Sequence, residues 1–545
     1  MTKRYHFAFV VICLALLSFL VACGGQPEAA PPEAEPAEEQ PAEEPAEPEE
    51  AEPTEAVAPA EPTEAEAPAE EPTEAPPAEM EEVTLSMILV APEDRWTFLL
   101  DAAEAKFEAD HPEIDIVVDA QVLPFGDRLT QLRAAAAGGT PLDIVSLDQP
   151  EVGEFAAAGF TTDLTEWINR DLDGLSDWRP AHRAATLYNG GYHAIWAWTD
   201  ARVMWYWKDL VEQAGVDPAT DMTTWEDYIA ACQTLNEALA GENIQGCLQI
   251  GQPWISDWTL PYVWEQGGDI GLDVNADLAA GAGAAEAWVP TFDSEAWVSA
   301  LQFTRDQIDA GITPFTEHQF GTEFVARSFA TTLDGTWVYG AAKTGDADMA
   351  NLGLVAAFPV PSADVETATM AGGWTLAIPS TSEHAETAWE FLKAMLDVST
   401  LGAMQVQYGY LPTETSFAEG LDADFAAYWN EGGDDRWAAL QGLLPNAYGR
   451  PSFPTWPEVG AAITEMIQRV QFEDVDPQTA ATEAQQTVLV DILGWPEGTT
   501  VSLLDDSDEA CPTAETDRLI GAVTPWQQAA DANGNGQICS SVTLP

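Results

Sequence analysis

The chain has 545 residues, of which 46% are hydrophobic and 10% aromatic, so it can fill a large core and is not disordered as a whole. It carries 92 Asp and Glu residues against 19 Lys and Arg residues, which gives a net charge of -73. Nucleic acid is excluded as a partner, because its phosphate backbone would be repelled along most of the chain.

The first 22 residues have the pattern of a secretory signal peptide. Lys3 and Arg4 precede an apolar run, residues 7–20, that is too short to span a bilayer. The following sequence LVAC, which ends at Cys23, resembles the lipobox of bacterial lipoproteins. The resemblance implies cleavage before Cys23 and attachment of lipid to its sulfur. We therefore expect an extracytoplasmic lipoprotein that is held to the membrane by this anchor.

Residues 23–82 are predicted to be a disordered linker between the anchor and the folded body. Residues 26–82 contain 21 acidic residues and no Lys or Arg, and they repeat Pro-Glu-Ala-type units. Such a segment cannot bury enough apolar surface to offset the entropy that ordering would cost.

The body is also acidic, with 71 acidic and 17 basic residues in positions 83–545. This charge has two interpretations. The one we favour is a solvated surface suited to a saline or acidic exterior, and the alternative is an acidic site for a cationic ligand.

The body begins with an alternation of predicted strands and helices. Three β-rich runs enclose two segments of helical spacing, in the order 83–90, 96–107, 114–118, 127–137 and 143–147. This βαβαβ order predicts a parallel sheet with helices on both faces. Because ligands of such sheets bind beyond the carboxyl ends of the strands, we expect residues 92–96 and 148–151 to face a site.

A longer series of motifs follows this opening. It includes GYHAI at 191–195, WTD at 198–200, WYWKDL at 205–210, TWED at 224–227, DGTW at 334–337, GGW at 372–374 and AWEFL at 388–392. Over about residues 83–495, the series resembles the extracellular solute-binding proteins of ABC importers. The resemblance is to the large sugar-binding group that includes maltose and trehalose binders.

The resemblance implies an α/β fold with two lobes, of the periplasmic-binding-protein type II, over residues 83–498. Its members enclose the ligand between the lobes, and the permease subunits of the importer then read the closed form. The hinge segments are expected to cross near residues 198–201 and 355–361. The lobes are expected at about 83–199 with 356–400 and at about 200–355 with 401–498.

The side chains of the body agree with a carbohydrate ligand. A sugar offers apolar C–H faces and many hydroxyls, so its site needs flat aromatic rings and planar polar groups. Trp337, Trp374 and Arg450 are candidates by motif position as well as by residue type. Packing within the core is an open alternative for any other single tryptophan. The full candidate set is Asp94, Asp148, Trp198, Asp200, Trp254, Trp258, Glu265, Trp337, Gly373, Trp374, Arg450 and Trp456.

We interpret the chain as a monomeric, lipid-anchored protein that delivers a di- or oligosaccharide to an ABC importer and catalyses no reaction. A polyol or a glycerophosphodiester is an alternative ligand within the same fold. Two alternatives from other classes are a secreted glycoside hydrolase and an adhesion lipoprotein. The sequence contains neither a Gly-x-Ser-x-Gly elbow nor a His-Glu-x-x-His motif.

The four cysteines of the body predict two local disulfides, since the chain is expected to work in an oxidising compartment. The pairs are Cys232 with Cys247 and Cys511 with Cys539. Neither pair has the Cys-x-x-Cys spacing of a zinc or redox site, so we favour structural staples.

Residues 499–545 are predicted to form a small C-terminal extension. Asp531, Asn533 and Asn535 resemble positions 1, 3 and 5 of an EF-hand calcium loop, but Val542 stands where that loop has its bidentate glutamate. Weak or structural Ca²⁺ binding and a plain Gly/Asn turn are both open here. We expect no required cofactor elsewhere.

Overall fold

The structure is a computed structural model of the chain. It describes residues 80–251, 255–274, 276–312, 314–315, 321–505 and 538–545. Within these ranges, no helix is both long enough and apolar enough to cross a membrane. The predicted signal peptide and most of the linker lie outside the described residues, as do Cys23, Trp254, Cys511, Asp531, Asn533 and Asn535.

The strands and helices alternate along most of the body. The strands are β1 (Glu81–Val90), β2 (Ile114–Leu123), β3 (Ile144–Asp148), β4 (Leu187–Tyr188), β5 (Gly191–Tyr192), β6 (Ile195–Trp207), β7 (Gln245–Ile250), β8 (Gly271–Asp273), β9 (Trp288–Pro290), β10 (Pro314–Phe315), β11 (Phe329–Gly335), β12 (Leu352–Val355), β13 (Thr369–Ala377), β14 (Ala447–Gly449), β15 (Thr500–Asp505) and β16 (Ile538–Thr543). The helices of the first part are α1 (Glu93–Asp110), α2 (Phe125–Gly138), α3 (Glu151–Ala157), α4 (Thr165–Asp171), α5 (Pro180–Ala184), α6 (Lys208–Ala214), α7 (Pro218–Asp221), α8 (Trp225–Leu239), α9 (Ile255–Trp264) and α10 (Ala276–Ala282). Those of the second part are α11 (Glu295–Asp309), α12 (Thr322–Val325), α13 (Trp337–Thr344), α14 (Ala385–Met395), α15 (Ala403–Tyr408), α16 (Thr415–Gly420), α17 (Asp422–Trp429), α18 (Arg436–Leu443), α19 (Trp456–Phe472) and α20 (Pro477–Gln486).

The predicted βαβαβ opening is present as β1, α1, β2, α2 and β3. Strand β1 runs parallel to both β2 and β3. Helix α1 buries Trp96, Leu99, Ala103 and Phe107, which recur at the three- and four-residue spacing of one helix face. It ends at Asp110 because Pro112 cannot continue a helix. The apolar face of α1 and the buried strands thus form the first part of the core.

Ten of the described strands form one sheet, and β6 divides it into two halves. The order along the sheet is β10-β7-β11-β6-β13-β3-β1-β2, with β12 on β6 and β14 on β13. Within β6, residues 195–201 pair with β13, whereas residues 202–206 pair with β11. We call β1, β2, β3 and β13 the first half, and β7, β10, β11 and β12 the second half. The chain thus passes from the first half to the second half at Ala201 and Arg202.

Two later connections also join the halves. The chain leaves β12 and stays with the second half as far as Val360, which hydrogen-bonds to Thr223 and Trp225, before it enters β13 in the first half. Further along, Leu411 pairs with Thr199 of β6. Helix α17 then lies against the second half, where the Tyr339 hydroxyl donates to the carbonyl of Tyr428. The halves are therefore interleaved in the sequence.

Cys232 of α8 and Cys247 of β7 are bonded through their Sγ atoms in the structure, with Cα atoms 5.5 Å apart. Both cysteines are buried. The bond joins a helix of the second half to the strand on which that helix packs.

Glu414 makes the stability of the fold depend on pH. Burial raises the pKa of its carboxyl to about 8. In the unfolded chain a glutamate titrates near 4.3, so folding takes up a proton between the two values. We therefore expect this group to lower the free energy of unfolding as the pH rises from about 4.3 to 8, by at most about 1.4 kcal/mol per pH unit.

The variant Glu414→Gln should lose less stability than the parent chain between pH 5 and pH 8. The exposed neighbour Glu419→Gln is the matched control and should follow the parent curve. Urea unfolding at several pH values measures the difference. Parallel curves for Glu414→Gln and the parent would contradict the prediction.

Candidate functional site

A cleft of about 640 Å³ lies between the two halves of the sheet. Helix α2 forms one wall and belongs to the first half. Helix α19 forms the other wall, and it packs against α11, α20 and α9 of the second half. The lining residues are Phe125, Leu129, Arg133, Asp148, Pro150, Glu151, Glu154, Ser256, Asp257, Arg450, Trp456, Pro457, Gly460, Ala461, Thr464, Glu465 and Gln468.

The floor of the cleft is a buried cluster centred on Arg450. Its Nη2 donates to Oδ1 of Asp148 at 2.6 Å, and its Nη1 donates to Oδ2 of Asp257 at 3.1 Å. Asp148 is the last residue of β3 in the first half, and Asp257 lies on α9 of the second half. Arg450 therefore links the two halves at the cleft floor.

Electrostatics of this cluster keep Arg450 charged. Burial opposes its charge, but the two aspartates more than offset this effect and raise the pKa of Arg450. Burial also raises the pKa of Asp257, although Arg450 lowers it in part. All three side chains are at least 89% buried, so water screens their attraction only weakly.

A second buried ion pair holds the end of β3 in place. Nη2 of Arg128 donates to both carboxylate oxygens of Glu151, at 2.7 and 2.9 Å. Oε2 of Glu151 also accepts the backbone N–H of Asp148 at 2.9 Å. The guanidinium of Arg128 lies 4.7 Å from the ring centre of Trp374, which places a cation against that ring. Glu151 thus holds the backbone of Asp148, and Arg128 holds Glu151 and lies against Trp374.

Two other tryptophans of the predicted ligand-binding set also lie against an arginine. The guanidinium of Arg202 lies 4.6 Å from the ring centre of Trp337 and 5.1 Å from that of Trp258. Arg202 forms an ion pair with Asp200, and burial lowers its pKa to about 9. A packed group beside the crossing point of β6 is therefore formed by Asp200, Arg202, Trp258 and Trp337.

The remaining candidates lie at other places. Trp198 is 1% exposed and stacks on Tyr410, with ring centres 4.9 Å apart. Asp94 is exposed near the start of α1. Glu265 is buried, and its Oε1 accepts the N–H of Ala368 at 3.3 Å, on the connection that enters β13. Of the predicted ligand residues, the cleft lining thus includes Asp148, Arg450 and Trp456.

Several lining residues carry no motif in the sequence that marks them as ligand-binding. Asp257 precedes the predicted Trp258, but neighbours on a helix point about 100° apart, and Asp257 is the one that lines the cleft. On α19, the lining positions 457, 460, 461, 464, 465 and 468 recur at the spacing of one helix face. That periodicity was present in the sequence as a stripe of small and polar residues.

A sheet divided into two interleaved halves around a cleft is the architecture of bilobal solute-binding proteins. Residues 94–399 match the family model described as bacterial extracellular solute-binding protein, and the chain belongs to this family. Members of this family are binding proteins that act outside the cytoplasm.

Individual relatives agree with this assignment. A binding protein of Brucella abortus (strain 2308) is 23% identical over 382 residues, which cover 69% of this chain and 86% of the relative. An ABC transporter solute-binding protein of Thermotoga lettingae TMO, solved with α-D-tagatose, superposes with a TM-score of 0.62 at 21% identity, covering 75% of this chain and all of that one. The GacH receptor of Streptomyces glaucescens, solved unliganded and with acarbose, gives a TM-score of 0.62 at 23% identity, covering 76% and 99%. These structural matches show a common fold.

Proposed function

We propose that this protein captures a di- or oligosaccharide in the cleft between α2 and α19 and delivers it to an ABC importer. The observation that carries the proposal is the Asp148–Arg450–Asp257 cluster, which brings planar polar groups of both halves to the cleft floor. Such groups bind pairs of sugar hydroxyls, and a cleft of this volume is of the size that small ligands occupy.

The family and the fold support a carbohydrate ligand. The solved relatives from Thermotoga lettingae and Streptomyces glaucescens were crystallised with a sugar and with acarbose. Because the cleft lies between two interleaved halves, a ligand that contacts both would favour their closure. We infer that the permease reads this closed form, that lipid on Cys23 holds the monomeric protein at the membrane, and that no reaction is catalysed.

Calorimetric titration with mono-, di- and oligosaccharides tests the ligand class. We expect one saccharide to bind with one-to-one stoichiometry at micromolar concentration and to remain chemically unchanged. Saturable binding of a polyol or a glycerophosphodiester, without binding of any sugar, would replace the carbohydrate assignment. Hydrolysis of a glycoside during the titration would contradict a binding role.

Trp456 is expected to supply the apolar platform of the site. It is the first residue of α19, lines the cleft and packs edge-on against Phe453. The variant Trp456→Leu keeps an apolar side chain but removes the flat ring, so the affinity for the saccharide should fall about tenfold. The control Trp167→Leu removes a half-buried ring from α4, outside the cleft, and should leave the affinity unchanged. Equal affinities of Trp456→Leu and the parent chain would contradict this role.

A further inference from the structure

The arginines that line the cleft are already paired with carboxylates of this chain. Arg450 binds Asp148 and Asp257, as described above. Arg133 donates to both carboxylate oxygens of Glu154, at 2.6 and 2.8 Å. Within the described lining, no further Lys or Arg remains to receive an anionic group of a ligand.

Two carboxylates of the lining are left with capacity to bind a cation. Asp148 is 8% exposed, and its Oδ1 accepts a hydrogen bond from Nη2 of Arg450. Its Oδ2 accepts no hydrogen bond from a described residue. Glu465 is exposed on the α19 wall and forms no ion pair with a described residue. The lining itself has five carboxylates and two guanidiniums, namely Asp148, Glu151, Glu154, Asp257 and Glu465 with Arg133 and Arg450. A third guanidinium, that of Arg128, lies outside the lining and is paired with Glu151, so carboxylates still outnumber guanidiniums.

We propose that the cleft selects saccharides by charge, so that an amine-bearing saccharide binds more tightly than its neutral counterpart and a phosphate- or carboxylate-bearing one is excluded. This inference rests on the proposed function and names the ligand class of the same site. The acidic composition of the body had an acidic site for a cationic ligand as its alternative interpretation, and the cleft would be that site.

The cleft is expected to attract a positive charge on a ligand and to repel a negative one. An ammonium group can donate to the free Oδ2 of Asp148 and is attracted by Glu465, in a site that water screens only in part. A phosphate group would lie beside the same carboxylates without a free guanidinium to neutralise it, and like charges in an interface strongly oppose binding. A neutral hydroxyl can still donate to Oδ2, so neutral sugars bind with intermediate affinity.

Calorimetry on the full mature chain tests this order. The probes are maltose, cellobiose and trehalose, each as the unmodified sugar, the 6-amino-6-deoxy derivative and the 6-phosphate. For the disaccharide that binds, we expect the amine to bind about three- to tenfold more tightly than the neutral sugar, and the phosphate at least about tenfold more weakly. The preference for the amine should shrink in about 0.5 M NaCl, because salt screens the attraction.

A charge-neutral variant assigns the effect to the cleft. Glu465→Gln should reduce the ratio of amine to neutral affinity about two- to fivefold. Glu473→Gln makes the same charge change at the end of α19, outside the cleft lining, and should leave the ratio unchanged.

The outcomes separate this inference from the proposed function. Equal affinity for the three forms, or tightest binding of the phosphate, would overturn charge selection while the site remained a saccharide site. The same reduction in both glutamate variants would also overturn it, because the effect would then come from the overall charge. Absence of binding for every form of every disaccharide and for the wider sugar panel would overturn both proposals.

Discussion

Replacing Arg450 with alanine is expected to abolish saccharide binding and to lower the free energy of unfolding by about 3–5 kcal/mol. The variant would leave Asp148 and Asp257 buried without their cation, and an uncompensated buried charge is far more costly than a lost surface contact. Chemical unfolding measures the stability, and calorimetry measures the binding.

Two further variants make the Arg450 prediction specific. Arg170→Ala removes an exposed arginine whose ion pair with Asp171 lies on the surface, where water screens the attraction, so it should leave the free energy of unfolding almost unchanged. Arg450→Lys keeps the positive charge but cannot form the same fork of two donors, so its stability should lie between those of the parent and the alanine variant. Equal stability of Arg450→Ala and Arg170→Ala would contradict the role of Arg450 in joining the halves.

Replacing Gly373 with alanine should lower the free energy of unfolding by at least about 2 kcal/mol. Gly373 lies on β13 with a φ of 135°, in the region that favours glycine. A Cβ atom there would lie 2.2 Å from the carbonyl oxygen of Trp198 on β6. The two strands meet at the centre of the sheet, so neither backbone can move without disturbing the crossing between the halves.

The control for Gly373 separates backbone strain from the close contact. Gly190 also has a positive φ, 83°, but a Cβ atom there would meet nothing within 4 Å. Gly190→Ala therefore measures strain alone and should cost about 1 kcal/mol. If thermal or urea unfolding shows the two variants to be equally stable, the contact with Trp198 has no energetic importance.

The fold could be predicted largely from local patterns. The β-rich runs and helical spacings of residues 83–147 follow from periods of two and 3.6 residues, and they became β1 to β3 with α1 and α2. The resemblance implies a crossing near residues 198–201, which stays a prediction; the structure shows that β6 changes its pairing partner at Ala201 and Arg202.

The site was only partly predictable, because it depends on how distant segments pack. Asp148 could be found from its place at the end of a predicted strand. Asp257 could not, since its role follows from the direction in which α9 faces the first half. The contacts of Arg128 with the ring of Trp374 and of Arg202 with the ring of Trp337 could not be predicted either, and ligand stacking on these two rings stays a prediction. No local pattern links those arginines to those tryptophans.

A crystal structure of the chain with the tightest-binding saccharide of the panel would show whether the cleft between α2 and α19 is the binding site. We expect one saccharide between α2 and α19, with hydroxyls bonded to Asp148 or Arg450 and a face against Trp456. An ordered saccharide at another place, with the cleft unoccupied, would contradict the assignment of this cleft as the binding site.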